Sequence, residues 1–317
     1  MRVLGNSGLR VSRLGLGTMT WGRDTDEHEA AEQLKAYIDA GGNLLDTAAN
    51  YGDGDSERVI GGFLNTLVPR DQIVLATKAG ITFNSGERFV NNSRSNLLTE
   101  LDKSISRLGV SEIDLWQIQS WDENVPLEET LSALDYAVVS GRARYVGVSN
   151  FLGWQLARSA TLQNPLFGKV PIISIQSEYS LLNRKIEEEV IPAALDLNIG
   201  VLSWSPLGRG VLTGKYRTGM PSDSRGASQH FANFVTPYLS AKSRKIVDAV
   251  CVAADGLGYS PLEVALAWVR DSYGVTSSIL GARTAAQLRG ALTVEEIELP
   301  DPVRAALDEV SIPSNLN

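Results

Sequence analysis

Three ionisable residues stand at the ends of apolar runs, or just after one, in the first quarter of the chain. Asp46 ends the run Leu44–Asp46, Tyr51 follows five positions later, and Lys78 ends the run Ile73–Lys78. Short apolar runs of this kind are typical of buried strands. A tyrosine has an ordinary pKa of about 10, so it transfers protons near neutrality only when a neighbouring cation favours its phenolate. We therefore expect proton-transfer chemistry in which Lys78 supplies that charge and Asp46 holds the ammonium in place.

The elements that must position these side chains alternate between strand and helix patterns. After Asp26, apolar residues recur at helical spacing until Gly41 and Gly42, which predicts a first helix capped by Asp26. Eight buried strands are predicted, at Leu14–Gly17, Leu44–Asp46, Ile73–Lys78, Ile113–Gln119, Arg144–Ser149, Ile172–Glu178, Gly200–Ser205 and Ser277–Gly281. Eight strands separated by helices are the signature of an α/β protein with a (β/α)8 TIM barrel, whose working residues lie at the carboxyl ends of the strands.

Two further segments flank or interrupt this repeat. Within residues 1–22, a turn between two short apolar runs predicts an N-terminal β-hairpin. The stretch Gly219–Pro237, rich in Ser, Gly and Asp, predicts a long loop after the seventh strand, of the kind that serves as a lid. Since no interdomain linker interrupts residues 1–317, one barrel domain is expected. The alternative fold, an open doubly wound sheet, requires a G-x-G-x-x-G fingerprint after a strand, and the sequence has none there.

The motif that contains Asp46 and Tyr51 resembles that of a known family. Residues 46–52 read Asp-Thr-Ala-x-x-Tyr-Gly and are followed by a strand that ends in Lys78, a pattern similar to that of the aldo-keto reductase superfamily. The resemblance extends to Gly281–Arg283. It implies a hairpin that plugs the bottom of the barrel, and a site formed by Asp46, Tyr51 and Lys78. In that site hydride passes from a reduced nicotinamide to a carbonyl carbon, and Tyr51 delivers the proton to the oxygen.

The chain departs from the family pattern at Gln119. The resembled family usually has a histidine at this strand end, and the sequence contains only two histidines, His28 in the first helix and His230 in the long loop. An amide can donate a hydrogen bond to a carbonyl, but it cannot titrate or carry a proton. The resemblance therefore implies two alternatives: an active reductase with altered pH dependence or substrate choice, or a weakly catalytic cofactor-binding protein.

The resemblance also assigns residues to a cofactor, NADPH. Ser149, Asn150 and Gln176 correspond to groups that hydrogen-bond the nicotinamide carboxamide, and Trp204 to the aromatic residue that stacks on the ring. The segment Ser205–Tyr216 is similar to the one that wraps the pyrophosphate, with backbone N–H groups freed by glycine and the charge of a lysine. Its residues assigned to the cofactor are Ser205, Leu207, Gly210, Leu212 and Lys215.

The adenosine end of the cofactor is assigned to residues 279–287. Gly281 lies in a turn that opens a helix, where partial positive charge suits a phosphate. Arg283 can pair with a ribose phosphate, which favours NADPH over NADH. Gln287 completes the motif, whereas Ala291 stands where the family often has an asparagine.

The substrate is expected to be a small carbonyl compound. Side chains in the loops that rim the mouth of the predicted barrel favour a flat or aromatic one. These side chains are Trp21, Asn50, Phe83, Trp121 and Asp122, of which Trp21 and Trp121 are the principal candidates for substrate contact.

Composition limits the remaining classes of function. The net charge of −8 argues against a nucleic-acid surface. The one cysteine, Cys251, excludes an intramolecular disulfide and has the setting of a buried helical residue. No spacing of ligand residues suggests a metal site, and no apolar run is long enough to span a bilayer, so a cytoplasmic protein is expected. Whether the chain is a monomer or a homo-oligomer is left open.

Two other classes of function remain as alternatives. One is a regulatory subunit that binds NADPH and reports its redox state, as the potassium-channel β subunits of the resembled superfamily do. Those subunits also lack the usual histidine. A hydrolase or lyase on the same barrel is the other, and the sequence shows no nucleophile–base pair or metal cluster to support it.

Overall fold

The eight predicted strands form a closed barrel. In this computed structural model the described residues are 1–84, 86–221, 224–227 and 232–313. Their strands are β1 (Arg2–Val3), β2 (Arg10–Val11), β3 (Leu14–Gly17), β4 (Leu44–Asp46), β5 (Val74–Ala79), β6 (Ile81–Asn84), β7 (Glu87–Val90), β8 (Ile113–Ile118), β9 (Ala143–Ser149), β10 (Ile172–Glu178), β11 (Gly200–Trp204) and β12 (Val275–Leu280). The parallel strands close in the order β10-β11-β12-β3-β4-β5-β8-β9. The expected (β/α)8 barrel is therefore confirmed, with strand ends displaced by at most two residues.

Helices surround the barrel. They are α1 (Glu27–Asp39), α2 (Asp55–Phe63), α3 (Arg94–Leu108), α4 (Leu127–Val139), α5 (Gly153–Leu162), α6 (Val190–Asp196), α7 (Ala232–Val235), α8 (Ala241–Leu257), α9 (Pro261–Arg270), α10 (Ala285–Leu292) and α11 (Asp301–Val310). The prediction for α1 is confirmed, because the Asp26 side chain accepts a hydrogen bond from the Glu29 amide and caps the first turn. Cys251 is buried in α8, as expected.

Two antiparallel hairpins lie outside the barrel sheet. The strands β1 and β2 form the predicted N-terminal hairpin. It places Leu4 and Val11 in a small apolar cluster inside the barrel, with residues such as Leu44 and Leu202. This contact closes the lower end of the barrel, whereas most of the core lies between the strands and the helices. The sequence did not predict the second hairpin, β6–β7, which follows β5.

The long segment after the seventh barrel strand is partly helical. The helix α7 lies within the predicted loop Gly219–Pro237. Of that loop, residues 222–223 and 228–231 lie outside the described residues, and with them His230. The prediction for His230 therefore stays a prediction.

The described ranges contain neither a single helix suited to span a membrane nor a cluster of metal ligands. No single helix there is both long and apolar enough to cross a membrane; α8 and α9 pass on length and composition only as a pair bent by 102°. Across the same ranges, no three His, Cys, Asp or Glu side chains come together as a metal site requires.

Candidate active site

A cavity of about 610 Å³ opens at the carboxyl ends of the barrel strands. It brings together residues that are up to 274 positions apart in sequence, from Gly17 to Ala291. The predicted site residues that line it are Asp46, Tyr51, Lys78, Gln119, Ser149, Asn150, Gln176, Trp204, Ser205, Leu207, Gly210, Lys215, Gly281, Arg283 and Gln287. Parallel strands leave a barrel at one end, which explains why residues from several strands meet there.

A buried ion pair lies at the side of this cavity where the sequence predicts proton transfer. The Lys78 ammonium donates to both carboxylate oxygens of Asp46, at 2.8 and 2.7 Å, and to the carbonyl of Thr47 at 2.9 Å. The Gln176 amide donates to Asp46 Oδ1 at 2.8 Å. Both charged side chains are only 2% exposed. A buried pair of this kind requires such additional hydrogen bonds, because they compensate for the hydration that the charges lose.

Tyr51 lies beside this pair. The Lys78 Nζ atom is 5.4 Å from the centre of the tyrosine ring. Burial, and to a smaller degree the negative charge of Asp46, raises the pKa of Tyr51, while the charge and hydrogen bond of Lys78 lower it; the net shift is upward. Burial also lowers the pKa of Lys78, but Asp46 and Tyr51 outweigh burial and raise it. At neutral pH Tyr51 therefore holds its proton beside a charged lysine.

A second buried pair supports the backbone around Tyr51. Glu57, in the helix α2 that follows the Tyr51 turn, is fully buried and accepts a 2.6 Å hydrogen bond from Thr77 Oγ1. Its other carboxylate oxygen pairs with Arg107 Nε at 2.6 Å. Thr77 immediately precedes Lys78, so this contact ties the helix after Tyr51 to the strand that carries Lys78. The sequence offered only the Glu57 charge within an otherwise ordinary helix, and the role of this residue was missed.

Gln119 lies at the end of β8 with its side chain lining the cavity. It is 7% exposed, and its Oε1 atom has no hydrogen-bond partner among the described residues. Its backbone is held on both sides, since its N–H donates to Ala79 and its carbonyl accepts from Asn150 Nδ2. The amide is thus positioned toward the cavity and remains able to bond a ligand.

Hydrogen bonds connect the residues assigned to the nicotinamide. Ser149 Oγ donates to the Gln176 carbonyl at 3.0 Å, and Asn150 Nδ2 donates to Ser149 Oγ at 3.0 Å. Asn150 Oδ1 in turn accepts from Trp204 Nε1 at 3.1 Å. Through Gln176, which also donates to Asp46, this network reaches the Asp46–Lys78 pair.

Trp204 forms one wall of the cavity with Phe234. Their rings are stacked, with centres 6.4 Å apart and an interplanar angle of 11°. The Arg209 guanidinium lies 3.7 Å from the centre of the Phe234 ring and makes two hydrogen bonds to the carboxylate of Glu178. Neither Arg209 nor Phe234 was singled out from the sequence, because the fold alone brings them onto Trp204.

The comparisons with known proteins agree with this geometry. Residues 13–312 match the family model described as Aldo/keto reductase family. The chain belongs to the aldo/keto reductase family. It is 35% identical to the uncharacterized oxidoreductase YrpG of Bacillus subtilis (strain 168), over 97% of this chain and 94% of that protein.

Two other relatives carry names from different classes of function. The chain is 34% identical to the L-glyceraldehyde 3-phosphate reductase of Escherichia coli (strain K12), over 90% of this chain and 85% of that protein. It is 33% identical to a probable voltage-gated potassium channel subunit beta of Oryza sativa subsp. japonica, over 97% and 93% of the two chains. This aldo/keto reductase is accordingly an oxidoreductase that acts on carbonyl groups.

The segment Ser205–Tyr216, predicted to wrap the pyrophosphate, differs from expectation in its backbone. The N–H groups of Gly208, Gly210 and Leu212 already donate to Ser205 and Leu207 carbonyls of the same segment. The prediction that glycine frees these amides for a phosphate is therefore wrong for these three groups. Leu212 itself has a fully buried side chain in the core and does not line the cavity. Two cations of this segment line the cavity: Lys215, which is exposed, and Arg209, which pairs with Glu178.

Backbone amides at the helix start assigned to adenosine also have partners within the chain. Glu29 Oε1, from α1, accepts a 2.9 Å hydrogen bond from the Ala285 amide, and Gln287 Oε1 accepts from the Arg283 amide at 3.1 Å. Thr284 caps the helix through the Gln287 amide. Sequence reasoning missed Glu29 because it lies 256 positions from its partner.

The structure corrects both principal predictions for the substrate. The side chain of Trp21 is fully buried, donates to Gln33 Oε1 at 3.1 Å and packs edge-on against Phe63. Trp121 lines a separate surface cleft with Trp154, whose ring centre is 5.4 Å away. Both tryptophans leave the strand ends in directions that the sequence does not specify, so neither lines the main cavity.

The outcome for the other rim residues is mixed. Asn50 and Phe83 do line the cavity. Asp122 is buried and accepts hydrogen bonds from the Asn92 and Asn124 amides, which gives it a structural role in its loop.

Proposed function

We propose that this chain reduces aldehydes or ketones to alcohols with NADPH, and that Tyr51 delivers the proton. The observation that carries the proposal is the buried Asp46–Lys78 pair beside a protonated tyrosine, at the end of a cavity large enough for more than a small substrate. Neither a packing role nor a simple ion pair requires a tyrosine to border a cavity of about 610 Å³.

The residues of the other side of the cavity fit the proposed cofactor. A nicotinamide needs a carboxamide partner and a flat wall, and Asn150, Gln176 and Trp204 present such groups at the barrel mouth. The cations Lys215 and Arg283 belong to the segments assigned to its phosphates, and both line the cavity. When bound, the cofactor supplies the hydride that reduces the carbonyl carbon.

The chain's own residues act on the carbonyl oxygen. Burial keeps the proton on the Tyr51 hydroxyl, and that hydroxyl donates it as negative charge develops on the oxygen. Lys78 then stabilises the resulting phenolate, and Asp46 and Thr47 hold the ammonium in position. The Gln119 amide donates a hydrogen bond to the same oxygen without a change in its own charge.

The test is oxidation of NADPH by the wild-type protein with activated aldehydes, diketones and quinones. We expect turnover whose rate is flat between about pH 5 and pH 9, because Tyr51 titrates above this range and Gln119 does not titrate. In Gln119→His, a new inflection should appear near pH 6.5, the ordinary pKa of histidine. An inflection near this pH in the wild type would contradict the assigned roles.

A second candidate is a weakly catalytic, NADPH-binding regulatory subunit. It is favoured by Gln119, which replaces the histidine expected from the family resemblance, and by relatives named as potassium channel β subunits. Tight binding of NADPH with negligible oxidation, restored only in Gln119→His, would support this candidate over the reductase.

A further inference from the structure

The charges that line the cavity are unevenly distributed. Among the described lining residues, Asp46 is the single carboxylate, and Lys78 neutralises it. The other charged lining residues are all cations, although the whole protein carries a net charge of −8. They are Arg88, Arg209, Lys215 and Arg283.

Three of these cations have an observed or proposed anionic partner. Glu178 neutralises Arg209 through two hydrogen bonds. Lys215 and Arg283 belong to the segments after β11 and β12, where the cofactor phosphates are proposed to bind. Arg88 remains, and it forms no hydrogen bond or ion pair with any residue in the described part of the chain.

Arg88 lies on the catalytic side of the cavity. It belongs to β7, and the hairpin β6–β7 directly follows β5, the strand that carries Lys78. Around the closed barrel, β5 is four strands away from β11 in either direction, so this hairpin lies opposite the start of the phosphate-binding segment. Arg88 is paired across the hairpin with Phe83, and because partners in register share a face, both side chains line the cavity.

The polar atoms near Tyr51 also indicate a polar ligand. Asn50 Oδ1 and Gln119 Oε1 are buried, belong to cavity-lining residues and have no partner among the residues described. Both are amide oxygens, which accept hydrogen bonds, so a hydroxyl of the substrate or a water must donate to them. They favour a polar ligand over a flat apolar carbonyl, and the case for an anionic group rests on Arg88.

We propose that Arg88 binds an anionic group of the substrate, a carboxylate or a phosphate, so that the preferred substrates are small carbonyl compounds with a negative charge at the end remote from the carbonyl. The proposal rests on the proposed reductase function. The location of Arg88 assigns it to the substrate. It lies opposite the proposed cofactor phosphates and beside the strand that carries Lys78, so an anionic group of the substrate can bind it.

Pairs of substrates that differ at one end, which is anionic in one member and neutral in the other, test this proposal. The pairs are succinic semialdehyde against its methyl ester, and glyceraldehyde 3-phosphate against glyceraldehyde. In Arg88→Gln, KM for the charged member should rise about tenfold, as expected when one charge-assisted hydrogen bond is lost, while KM for the neutral member changes less than about twofold. The pair with the larger effect identifies carboxylate or phosphate as the anion. Equal changes for charged and neutral members would overturn the proposal.

A matched control is Arg10→Gln. Arg10 is exposed on β2 in the hairpin at the other end of the barrel, so the substitution removes the same charge far from the cavity. We expect it to leave both KM values unchanged. If Arg10→Gln raised KM for the anions as much as Arg88→Gln does, the effect would come from the overall charge of the protein, and the proposal would fail.

A binding measurement separates failure of this proposal from failure of the reductase function. The affinity of 4-hydroxybutyrate, the alcohol of succinic semialdehyde, and of its methyl ester is measured by calorimetry with and without NADP⁺. Binding of the anion that weakens about tenfold in Arg88→Gln supports the site even where no aldehyde is reduced. Turnover of aldehydes with no dependence on Arg88 supports the reductase and overturns the anion site.

Discussion

The side of the cavity proposed to be catalytic and the side proposed to bind the cofactor are built in different ways. Asp46 and Lys78 lie at strand ends and are nearly fully buried; Lys78 donates a hydrogen bond to the Thr47 carbonyl, and Asp46 accepts one from Gln176. On the opposite side, Lys215 and Gln287 lie on exposed segments outside the strands. Charges at strand ends are positioned by the barrel, whereas charges in loops depend on local contacts. Substitutions should therefore have large, coupled effects on the catalytic side and small, separable effects on the cofactor side.

The largest expected effect is on the proposed proton donor. Tyr51→Phe removes the hydroxyl and retains the ring, so we expect kcat for carbonyl reduction to fall about 10³-fold, within the range of general acid catalysis. The dissociation constant of NADPH, measured by fluorescence, should be unchanged. Tyr259→Phe, at an exposed tyrosine between α8 and α9, is the control and should retain full activity. Unchanged turnover in Tyr51→Phe would rule out the assigned acid.

The buried ion pair should couple stability to catalysis. Lys78→Met leaves the Asp46 carboxylate buried without its counter-ion, and we expect a loss of about 3–5 kcal/mol in the free energy of unfolding, measured with urea. The double variant Asp46→Asn/Lys78→Met should recover most of the stability but not the activity. If Lys78→Met were as stable as the wild type, the pair would not be buried as described.

The raised pKa values of Lys78 and Tyr51 predict a loss of stability at alkaline pH. The pKa of Lys78 in the folded protein lies above its ordinary 10.5, and that of Tyr51 above its ordinary 10.0. The folded state therefore binds these protons more tightly than the unfolded state. The resulting stabilisation is complete below about pH 10 and is lost as the pH rises through the folded pKa values. The difference in unfolding free energy between wild type and the double variant should decline above pH 10. If this difference in unfolding free energy increased above pH 10, the pKa values of Lys78 and Tyr51 would not be raised in the folded protein.

On the cofactor side, the expected effect is on nucleotide choice. Arg283→Gln should weaken NADPH binding about tenfold and leave NADH binding almost unchanged, because only NADPH carries the ribose phosphate. Arg289→Gln, at an exposed position of helix α10, which begins two residues after Arg283, is the control. Equal weakening of both nucleotides would show that Arg283 does not distinguish them.

The smallest expected effect is at the aromatic wall. Trp204→Phe retains a ring that can stack on Phe234, but it removes the hydrogen bond to Asn150. We expect KM for NADPH to rise about two- to threefold, as the loss of one partly exposed hydrogen bond implies. Loss of all activity in this variant would mean that the wall is as tightly coupled to catalysis as the ion pair is.

Some predictions from the sequence succeeded for an identifiable reason. The strand positions followed from apolar runs, and the placement of Asp46, Lys78 and Gln119 in one cavity followed from the rule that strand ends of a barrel meet. Trp21 failed because it follows β3 in a segment that turns back into the core, where its ring packs on Phe63. Residue type alone does not specify the direction of a loop.

Other features could not be predicted from the sequence, because they depend on contacts between residues far apart in the chain. Glu29 meets the start of α10 only because the barrel brings β12 next to β3. Arg88 was not singled out, because the hairpin β6–β7 that turns it toward the cavity consists of two four-residue strands with mostly exposed residues on β7.

The sequence by itself determined the alternation of strands and helices and the identity of the groups that can transfer a proton, because apolar periodicity and residue chemistry are local properties. The tertiary structure alone decided which charges are neutralised. It pairs Lys78 with Asp46 and Arg209 with Glu178, and it leaves Arg88 facing the cavity without a partner among the described residues. The physical reason is that burial and pairing depend on distances between residues far apart in the chain, which are established only when the barrel closes.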